Sequence, residues 1–318
     1  MTKYKEINGS NIEVLSSDPA NPLTGQIWYN STSNTLKGLG FNESSAWSTG
    51  GNMNSGRYYN AGAGASSSAA LSIGYAESPQ IIVESYNGSS WTEVGDLNST
   101  PTIRTAIGTQ TSALVFGGDP SGALNESWNG SSWTEVGDLN TARYGSGGAG
   151  VDNTSALNFG GNPFGGATES WNGSAWTSVP SMNTVRDFLG GSGIQTSALA
   201  YGGEGPGGAA QTTSESWNGS SWTATPSLNT GRQGIFSAGN SNTSGLASGG
   251  NAPSPSVLTE RWNGSSWTEV ADMATARYIG GSAGTASSGL NFGGLPGTLT
   301  ATEEWVGEGP TTVTFNDA

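Results

Sequence analysis

Hydrophobic and polar residues alternate along most of this chain in short runs that end at glycine or asparagine. One stretch, read in order, contains YGSGGAG, SALNFGG and TESWNG, and a fourth run such as SSWTEV follows. Alternation with a period of two is typical of β-strands, and Asn-Gly between two such runs is a strong hairpin signal. The pattern therefore predicts units of four strands, with the third and fourth strands joined through Asn-Gly.

The units recur with a nearly constant period. The phrase ESWNGSSWTEV returns with small changes, and successive copies of its second tryptophan lie 42 to 46 residues apart. These tryptophans are Trp47, Trp91, Trp133, Trp176, Trp222 and Trp267. A period of this size is the length of one four-stranded propeller blade, so six units predict six blades.

Three further landmarks keep the same phase in the units. A single arginine precedes the first strand, at Arg57, Arg104, Arg143, Arg186, Arg232 and Arg277. A Gly-Gly pair ends the second strand at residues 117–118, 160–161, 202–203, 249–250 and 293–294, whereas the first unit has Gly74-Tyr75. A glutamate opens the third strand, at Glu84, Glu126, Glu169, Glu215, Glu260 and Glu303.

The order of arginine, strand, Gly-Gly, aromatic strand, turn and tryptophan resembles the kelch repeat over roughly residues 47–305. The resemblance implies an all-β chain folded as a six-bladed kelch-like β-propeller with a small N-terminal β-hairpin module. A WD40 propeller is disfavoured, because the chain has no histidine for the Gly-His signature of that family.

The two ends of the repeat predict how the ring closes. The sixth unit stops after its third strand at residues 301–305, and residues 44–50 form a fourth strand without a third. We therefore predict that the strand around Trp47 completes the sixth blade and removes the open sheet edges. We expect the Trp47 ring to be buried, so that its replacement by alanine costs about 3–5 kcal/mol.

Three segments follow from this interpretation: an N-terminal attachment or oligomerisation module at 1–43, the propeller at 44–305 and a C-terminal tail at 306–318. Within the module, Gln26–Tyr29 and Thr35–Leu39 flank an Asn/Ser/Thr-rich turn and predict a hairpin. We expect the tail to add one strand to this module or to a neighbour.

Strand direction alternates, so the turns between first and second strands should share a face with the Asn-Gly turns. The loops after Gly-Gly then lie on the opposite face, here called the variable face, because their sequences differ between units. Loops on a rigid scaffold commonly carry binding. The candidate ligand-binding residues are the ones just after Gly-Gly, namely Asp119, Asn162, Phe164, Glu204, Asn251 and Leu295.

Composition narrows the chemistry. Twelve tryptophans argue for a packed protein despite 52 glycines, and the lack of cysteine and histidine excludes disulfides, thiolate nucleophiles, Ser-His-Asp triads and imidazole metal sites. The net charge of −14 opposes binding to nucleic acid or anionic membranes. No apolar run reaches the roughly 18 residues of a membrane span, and the first residues lack the apolar core of a signal peptide.

We predict that the chain is not an enzyme and has no catalytic residue, cofactor or metal. The acids on or near the variable face that a glycosidase could use are Asp96, Asp138, Asp272, Asp119, Asp187 and Glu204. The first three recur at one repeat position, which indicates turn capping. No spacing matches an EF-hand calcium loop, and bound calcium stays open.

The repeated arginine, glutamate and tryptophan residues have two interpretations. We expect the arginines and glutamates to hold neighbouring strands by charge-assisted hydrogen bonds, and the tryptophans to pack between blades. The alternative is a lectin with about six equivalent sugar sites between blades, as in fungal fucose-binding propellers. The Asn-Gly-Ser sequons fall at hairpin turns, so we interpret them as turn residues.

GQIWYNSTSNTLK in the N-terminal module resembles a segment of bacteriophage tail-fibre and other virion proteins, and the NGSSW repeats resemble kelch-like proteins of marine phages. The resemblance implies a non-enzymatic virion protein, associated with the tail, that reaches the outside by lysis. Its expected partners are other virion proteins through residues 1–43 and a host-surface glycan or protein, with homo-oligomerisation left open. The alternatives are a structural decoration or adaptor of capsid or tail, and the lectin.

Overall fold

The structure is a computed structural model that describes residues 12–19, 26–42, 45–75, 81–100, 102–120, 122–163, 165–307 and 309–315. The described residues form strands and turns, which makes the protein all-β as predicted. No helix in the described part of the chain is long and apolar enough to cross a membrane.

The strands are, in chain order, β1 Glu13–Leu15, β2 Ile27–Asn30, β3 Thr35–Asn42, β4 Ala46–Thr49, β5 Ala61–Ser66, β6 Ala69–Ile73, β7 Val83–Tyr86, β8 Trp91–Glu93, β9 Thr105–Thr109, β10 Ser112–Phe116, β11 Asn125–Trp128, β12 Trp133–Val136, β13 Gly147–Asp152, β14 Ser155–Phe159, β15 Thr168–Trp171, β16 Trp176–Val179, β17 Gly190–Ile194, β18 Ser197–Tyr201, β19 Glu204–Gly205, β20 Ala209–Ala210, β21 Ser214–Trp217, β22 Trp222–Thr225, β23 Phe236–Ser241, β24 Ser244–Ser248, β25 Thr259–Trp262, β26 Trp267–Glu269, β27 Gly281–Thr285, β28 Ser288–Phe292, β29 Thr302–Val306 and β30 Gly309–Phe315.

The chain divides into two compact units. The smaller one contains Met1–Ser45 and Gly307–Ala318 and is built on a four-stranded sheet of order β1-β2-β3-β30. The predicted hairpin is present as β2 and β3, with Tyr29 opposite Leu36. The C-terminal segment pairs antiparallel with β3, so it adds a strand to this module, one of the two positions expected for it.

A single carboxylate organises the described side chains of this small sheet. Asp18 accepts hydrogen bonds from Trp28 Nε1 at 3.0 Å, from Asn30 Nδ2 at 2.7 Å and from Lys37 Nζ at 2.7 Å. Hydrogen bonds from Lys37, Asn30 and Trp28, in that order of size, lower the pKa of Asp18 to about 2. The Asp18 carboxylate is therefore charged throughout the physiological range.

The larger unit, Ala46–Val306, is β-propeller-like. Its described residues form six four-stranded antiparallel sheets, plus the short β19-β20 hairpin within one loop. The sheets, each named from its first strand outward, are β5-β6-β7-β8, β9-β10-β11-β12, β13-β14-β15-β16, β17-β18-β21-β22, β23-β24-β25-β26 and β27-β28-β29-β4. We call β5, β9, β13, β17, β23 and β27 the inner strands.

The strand around Trp47 completes the last sheet, as predicted. β4 pairs antiparallel with β29, which places Trp47 opposite Trp305 with ring centroids 5.3 Å apart. The Trp47 ring is half-buried, whereas Trp305 is fully buried, so the expectation of a buried Trp47 is wrong. The tryptophans at the same position of the other outer strands are buried. The physical reason for the difference is that four of those tryptophans pack against an aromatic residue at the end of the second strand of the preceding sheet, whereas β24 ends at Ser248.

The inner strands surround a channel with a cavity of about 200 Å³. Each inner strand contacts the next, and β27 contacts β5. Small residues make this approach possible: a Cβ added at Gly62 would lie 2.2 Å from the backbone oxygen of Ser282. The first strand of each unit, with its run of small residues, thus takes the crowded inner position.

The Asn-Gly hairpins have longer loops than the two residues implied by the sequence signal. Trp128 pairs with Trp133, which leaves the four residues 129–132 as the loop. The Asn129 side-chain oxygen accepts hydrogen bonds from the backbone N–H groups of Ser131 at 2.9 Å and Ser132 at 3.0 Å. The asparagine therefore closes the loop as a side-chain cap, and only Gly130 of this loop has a positive φ.

The core lies between adjacent sheets and depends on the repeated aromatic residues. Phe159 of one sheet packs edge-on against Trp222 of the next at 4.9 Å, and the Trp222 indole N–H donates to Thr168 Oγ1 at 3.1 Å. The indole N–H groups of Trp47, Trp91 and Trp267 likewise each donate a hydrogen bond to a hydroxyl of the preceding sheet. The predicted packing of tryptophans between sheets is confirmed.

Candidate functional site

The repeated arginines and glutamates form one buried ion pair per sheet. Arg232 Nη2 lies 2.9 Å from Glu260 Oε1, and both side chains are at most 2% exposed. The arginine also donates to the carbonyls of Gly249 at 2.9 Å and Leu258 at 2.5 Å. The corresponding pairs are Arg57–Glu84, Arg104–Glu126, Arg143–Glu169, Arg186–Glu215 and Arg277–Glu303.

Burial sets the charge state of these pairs. It lowers the pKa of Arg186 to about 10, against the opposing effect of the nearby Glu215 charge, so the guanidinium stays protonated at neutral pH. Burial alone would raise the pKa of Glu126, but hydrogen bonds from Ser99, the Asn98 N–H and Arg104 bring it below its ordinary value. A sugar between blades could not reach these side chains, which speaks against the lectin interpretation of them.

The second unit places its arginine differently. In the other five units the arginine lies four residues before the first residue of the inner strand, as Arg143 does before Gly147, whereas Arg104 directly precedes β9. Arg104 itself lines the channel and reaches Glu126 from there, with Nη1 at 3.1 Å from Oε1. The repeat therefore keeps the ion pair even where the arginine has moved along the chain.

The two faces of the larger unit carry different kinds of loop, as predicted. The Asn-Gly turns lie beside the turns between first and second strands: a Cβ added at Gly173 would lie 3.4 Å from the Thr154 carbonyl oxygen. We call this side the turn face. The loops after Gly-Gly begin at the other end of the strands and form the variable face.

Each described candidate ligand-binding residue pairs with a residue of the segment that leads into an inner strand. Asn162 forms an isolated β-bridge with Tyr144, and equivalent bridges join Asp119 to Thr102, Glu204 to Asp187, Asn251 to Gln233 and Leu295 to Tyr278. Asp119 is exposed and the other four are half-buried. Phe164 lies outside the described residues.

One cleft on the variable face brings two of these candidates together. It has a volume of about 310 Å³, and Asn162 and Glu204 line it with Asp187 and the half-exposed Val185. Asn162 Nδ2 donates to Asp187 Oδ2 at 3.0 Å. Asp119, Asn251 and Leu295 do not line this cleft and belong to other loops around the face.

The mouth of the channel on this face is a ring of six residues in the left-handed region, which we call the mouth ring. Its members, with their φ values, are Tyr59 (57°), Ile103 (58°), Gly145 (62°), Phe188 (46°), Gly234 (62°) and Ile279 (55°). Backbone hydrogen bonds link five of the six neighbouring pairs of the ring, for example Phe188 N–H to Gly145 O at 2.7 Å and Gly234 N–H to Phe188 O at 2.8 Å. The ring therefore joins the sheets by their backbones at the channel opening.

Four members of the mouth ring carry side chains where glycine would be less strained. A positive φ in a β-branched or aromatic residue costs about 1–3 kcal/mol and persists only when the surroundings impose it. Gly145 and Gly234 avoid that cost and make room for their neighbours: a Cβ at Gly234 would lie 2.5 Å from Ile279 Cγ1. The four side chains border a cavity of about 100 Å³.

Tyrosines gather around the same mouth. Tyr58 contacts both Tyr59 and Tyr75, with ring centroids 5.5 and 5.2 Å apart. Tyr144 packs against Phe188 at 6.3 Å. Burial, with smaller effects from Tyr278, Tyr58 and Tyr144, raises the pKa of Tyr59, so its hydroxyl is neutral at physiological pH.

The mouth ring was missed by the sequence analysis, which looked only after Gly-Gly. A signal exists, because large residues stand two positions after the arginine in three units, at Tyr59, Phe188 and Ile279, just before a run of small residues. In two further units the residue at that position is glycine, at Gly145 and Gly234. A sequence pattern cannot show that these residues meet around one opening, because Phe188 follows Tyr59 by 129 residues and Ile279 follows Phe188 by 91.

Within the described residues, no three acidic side chains are close enough together to hold a metal ion. A scan against protein-family models and a search of curated proteins give no match to this chain.

Proposed function

We propose that the larger unit is a six-bladed kelch-like β-propeller in a bacteriophage virion protein, and that it binds a host-surface receptor through the variable face. Six four-stranded sheets with inner strands in contact around a channel support the blade number. The order of arginine, Gly-Gly and tryptophan supports the kelch type, and the resemblance of residues 25–37 to tail-fibre segments supports the virion.

The observation that carries the receptor proposal is the division of loops between the two faces. On the turn face, an Asn-Gly loop recurs in five units with nearly the same sequence. On the variable face, the loops after Gly-Gly differ in sequence, and the same face has an opening lined by Tyr59 and Phe188 and a polar cleft. A repeated scaffold that varies on one face only is suited to recognition at that face.

The chain itself can test this proposal. Labelled full-length protein is incubated with a panel of bacterial cells, beside the variants Asp119→Ala and Glu204→Ala and the outer-strand control Thr134→Ala. We expect one or both loop variants to lose adsorption while Thr134→Ala keeps it and all three melt as the wild type does. Adsorption unchanged in every variant contradicts the use of these loops. No adsorption to any cell favours the alternative of a capsid or tail decoration.

A further inference from the structure

The strongest unexplained feature of the larger unit is the choice of side chains in the mouth ring. Gly145 and Gly234 show that glycine satisfies the backbone geometry and the hydrogen bonds of the ring. Glycine adopts this geometry without the steric strain that Tyr59, Phe188 and Ile279 must tolerate. Bulky residues at strained positions therefore point to a use for their side chains at the opening.

The distribution of aromatic residues supports the same conclusion. The buried tryptophans pack between the sheets, whereas five of the nine tyrosines gather at the mouth, at Tyr58, Tyr59, Tyr75, Tyr144 and Tyr278. These tyrosines are half-buried. A tyrosine offers an apolar ring face together with a hydroxyl that both donates and accepts hydrogen bonds.

The polar cleft adjoins this aromatic opening. Asp187 lines the cleft, and the next residue, Phe188, lines the mouth. Asn162, Asp187 and Glu204 supply amide and carboxylate groups that can bond several hydroxyls of one ligand. An aromatic opening beside a row of polar groups matches a ligand with both apolar ring faces and many hydroxyls.

Charge excludes one class of such ligands. Arg104 lines the mouth and Arg186 lines the cleft, and each is buried and paired with a glutamate. The other ionisable groups of the cleft, Asp187 and Glu204, are acidic, and the chain has a net charge of −14. Sialylated, sulfated or phosphorylated sugars would meet repulsion and no free cation.

We infer that the channel mouth and the adjoining cleft bind an uncharged oligosaccharide, with one pyranose ring against Tyr59 and Phe188 and the next unit along Asn162 and Glu204. This site rests on the proposed function, because it assigns the receptor to neutral glycans. It differs from the inter-blade lectin in being a single site at the axis.

The first experiment measures sugar binding directly. Full-length protein is tested on an array of neutral and anionic glycans, and by ligand-observed NMR with the methyl glycosides of glucose, galactose and mannose. We expect binding to neutral glycans only. The variants Phe188→Gly and Tyr59→Gly should weaken it at least tenfold without lowering the melting temperature, while the outer-strand variant Thr134→Ala leaves it unchanged.

Two further variants separate loss of the fold from loss of the site. Phe188→Leu keeps apolar volume at the mouth but removes the flat ring, and Phe188→Tyr keeps the ring. We expect the leucine variant to lose binding and the tyrosine variant to retain it. Absence of binding to any neutral sugar, or equal binding by wild type and Phe188→Gly, overturns the inference.

Adsorption to cells distinguishes this inference from the proposed function. One set of results would show that the receptor is a protein and that the glycan site is wrong. In that set, Phe188→Gly still adsorbs, neutral sugars do not compete, and protease treatment of the cells abolishes adsorption. In that case receptor binding by the variable face stands. If neutral sugars bind at the mouth while no cell adsorbs the protein, the glycan site stands and the receptor proposal fails.

Discussion

A glutamate side chain in each sheet gathers several donors that would otherwise lose their hydrogen bonds on burial. Glu169 Oε2 accepts from the Asn140 N–H and from Asn140 Nδ2, both at 2.8 Å, while Oε1 accepts from the Thr141 N–H at 3.1 Å and from Arg143. The loop that leads into the inner strand is thereby fixed to the third strand. The ion pair is one part of a network that orders this loop.

Removing one charge of such a pair should be costly. Glu169→Gln keeps the size of the side chain but leaves the buried Arg143 guanidinium without a counter-charge, so we expect a loss of about 3–5 kcal/mol in the free energy of unfolding. Denaturant unfolding measures it, and the exposed Glu135→Gln in the neighbouring sheet is the matched control. Equal stability of the two variants would show that the pair contributes little.

Two tryptophans of the larger unit lack the hydrogen-bond acceptor that their counterparts in other sheets have. The indole nitrogens of Trp133 and Trp176 are buried without a hydrogen-bond partner. Thr168 accepts the hydrogen bond from Trp222. The equivalent residue of the first unit is Val83, which lies in the same core cluster as Trp133. The repeat thus contains an unsatisfied donor that a hydroxyl could satisfy.

Val83→Thr should stabilise the protein by supplying that hydroxyl. We expect a gain of about 1 kcal/mol in the free energy of unfolding, because a new buried hydrogen bond replaces an unsatisfied indole N–H. The reciprocal variant Thr168→Val should lose a similar amount. A loss of stability in both variants would mean that the hydroxyl at position 83 does not meet Trp133.

At the scale of strands, the outer strand β4 carries the closure of the last sheet. Trp47 contacts Trp305 and donates to Thr259 Oγ1 at 3.1 Å, but its ring is half-buried. We expect Trp47→Ala to cost about 1–3 kcal/mol, less than the roughly 3–5 kcal/mol of a buried tryptophan such as Trp176. Thermal melts of both variants, with the exposed Ser68→Ala as control, check the order. A Trp47→Ala variant as stable as Ser68→Ala would contradict a closing role.

The sheet of the smaller unit should respond to acid through Asp18. Because the pKa of Asp18 is lowered to about 2, its contribution to stability is complete above the unfolded pKa of about 3.9 and is lost as pH falls through about 2. The NMR signal of the Trp28 indole N–H should titrate in that window. In Asp18→Asn the titration should disappear, and its persistence would assign it to another group.

At the scale of the whole molecule, glycines decide whether the inner strands can close around the channel. Gly62 lies in the first sheet and faces the backbone of Ser282 in the sixth. Gly62→Ala would put a methyl group 2.2 Å from the Ser282 oxygen, and the sheets must separate to admit it. We expect a loss of about 1–3 kcal/mol from this overpacking.

Gly166→Ala is the control for that prediction. Neither glycine has a positive φ, and the nearest atom to a Cβ at Gly166 is 3.5 Å away, at ordinary contact distance. Calorimetry should therefore show a lowered melting temperature for Gly62→Ala and little change for Gly166→Ala. Equal melting temperatures would mean that the inner strands are packed more loosely than the distances require.

Local signals account for the elements that the sequence predicts. Alternation predicts the strands, the asparagine before glycine predicts the hairpins, and the isolated fourth strand at Trp47 predicts its pairing with β29. The half-burial of Trp47 and the four-residue hairpin loop depend on neighbours in space. The pattern of a strand does not say what packs against its side chains, nor how far a turn extends.

The sequence by itself determined the repeat, the four strands of each unit and the partition between an invariant and a variable face, because each of these is encoded within one period. Only the tertiary structure decided that Asn162 and Glu204 share a cleft and that Tyr59, Phe188 and Ile279 meet around one opening. The physical reason is that a closed arrangement converts equivalent positions in distant units into neighbours. Contacts of that kind depend on the rotation between sheets, which no single period contains.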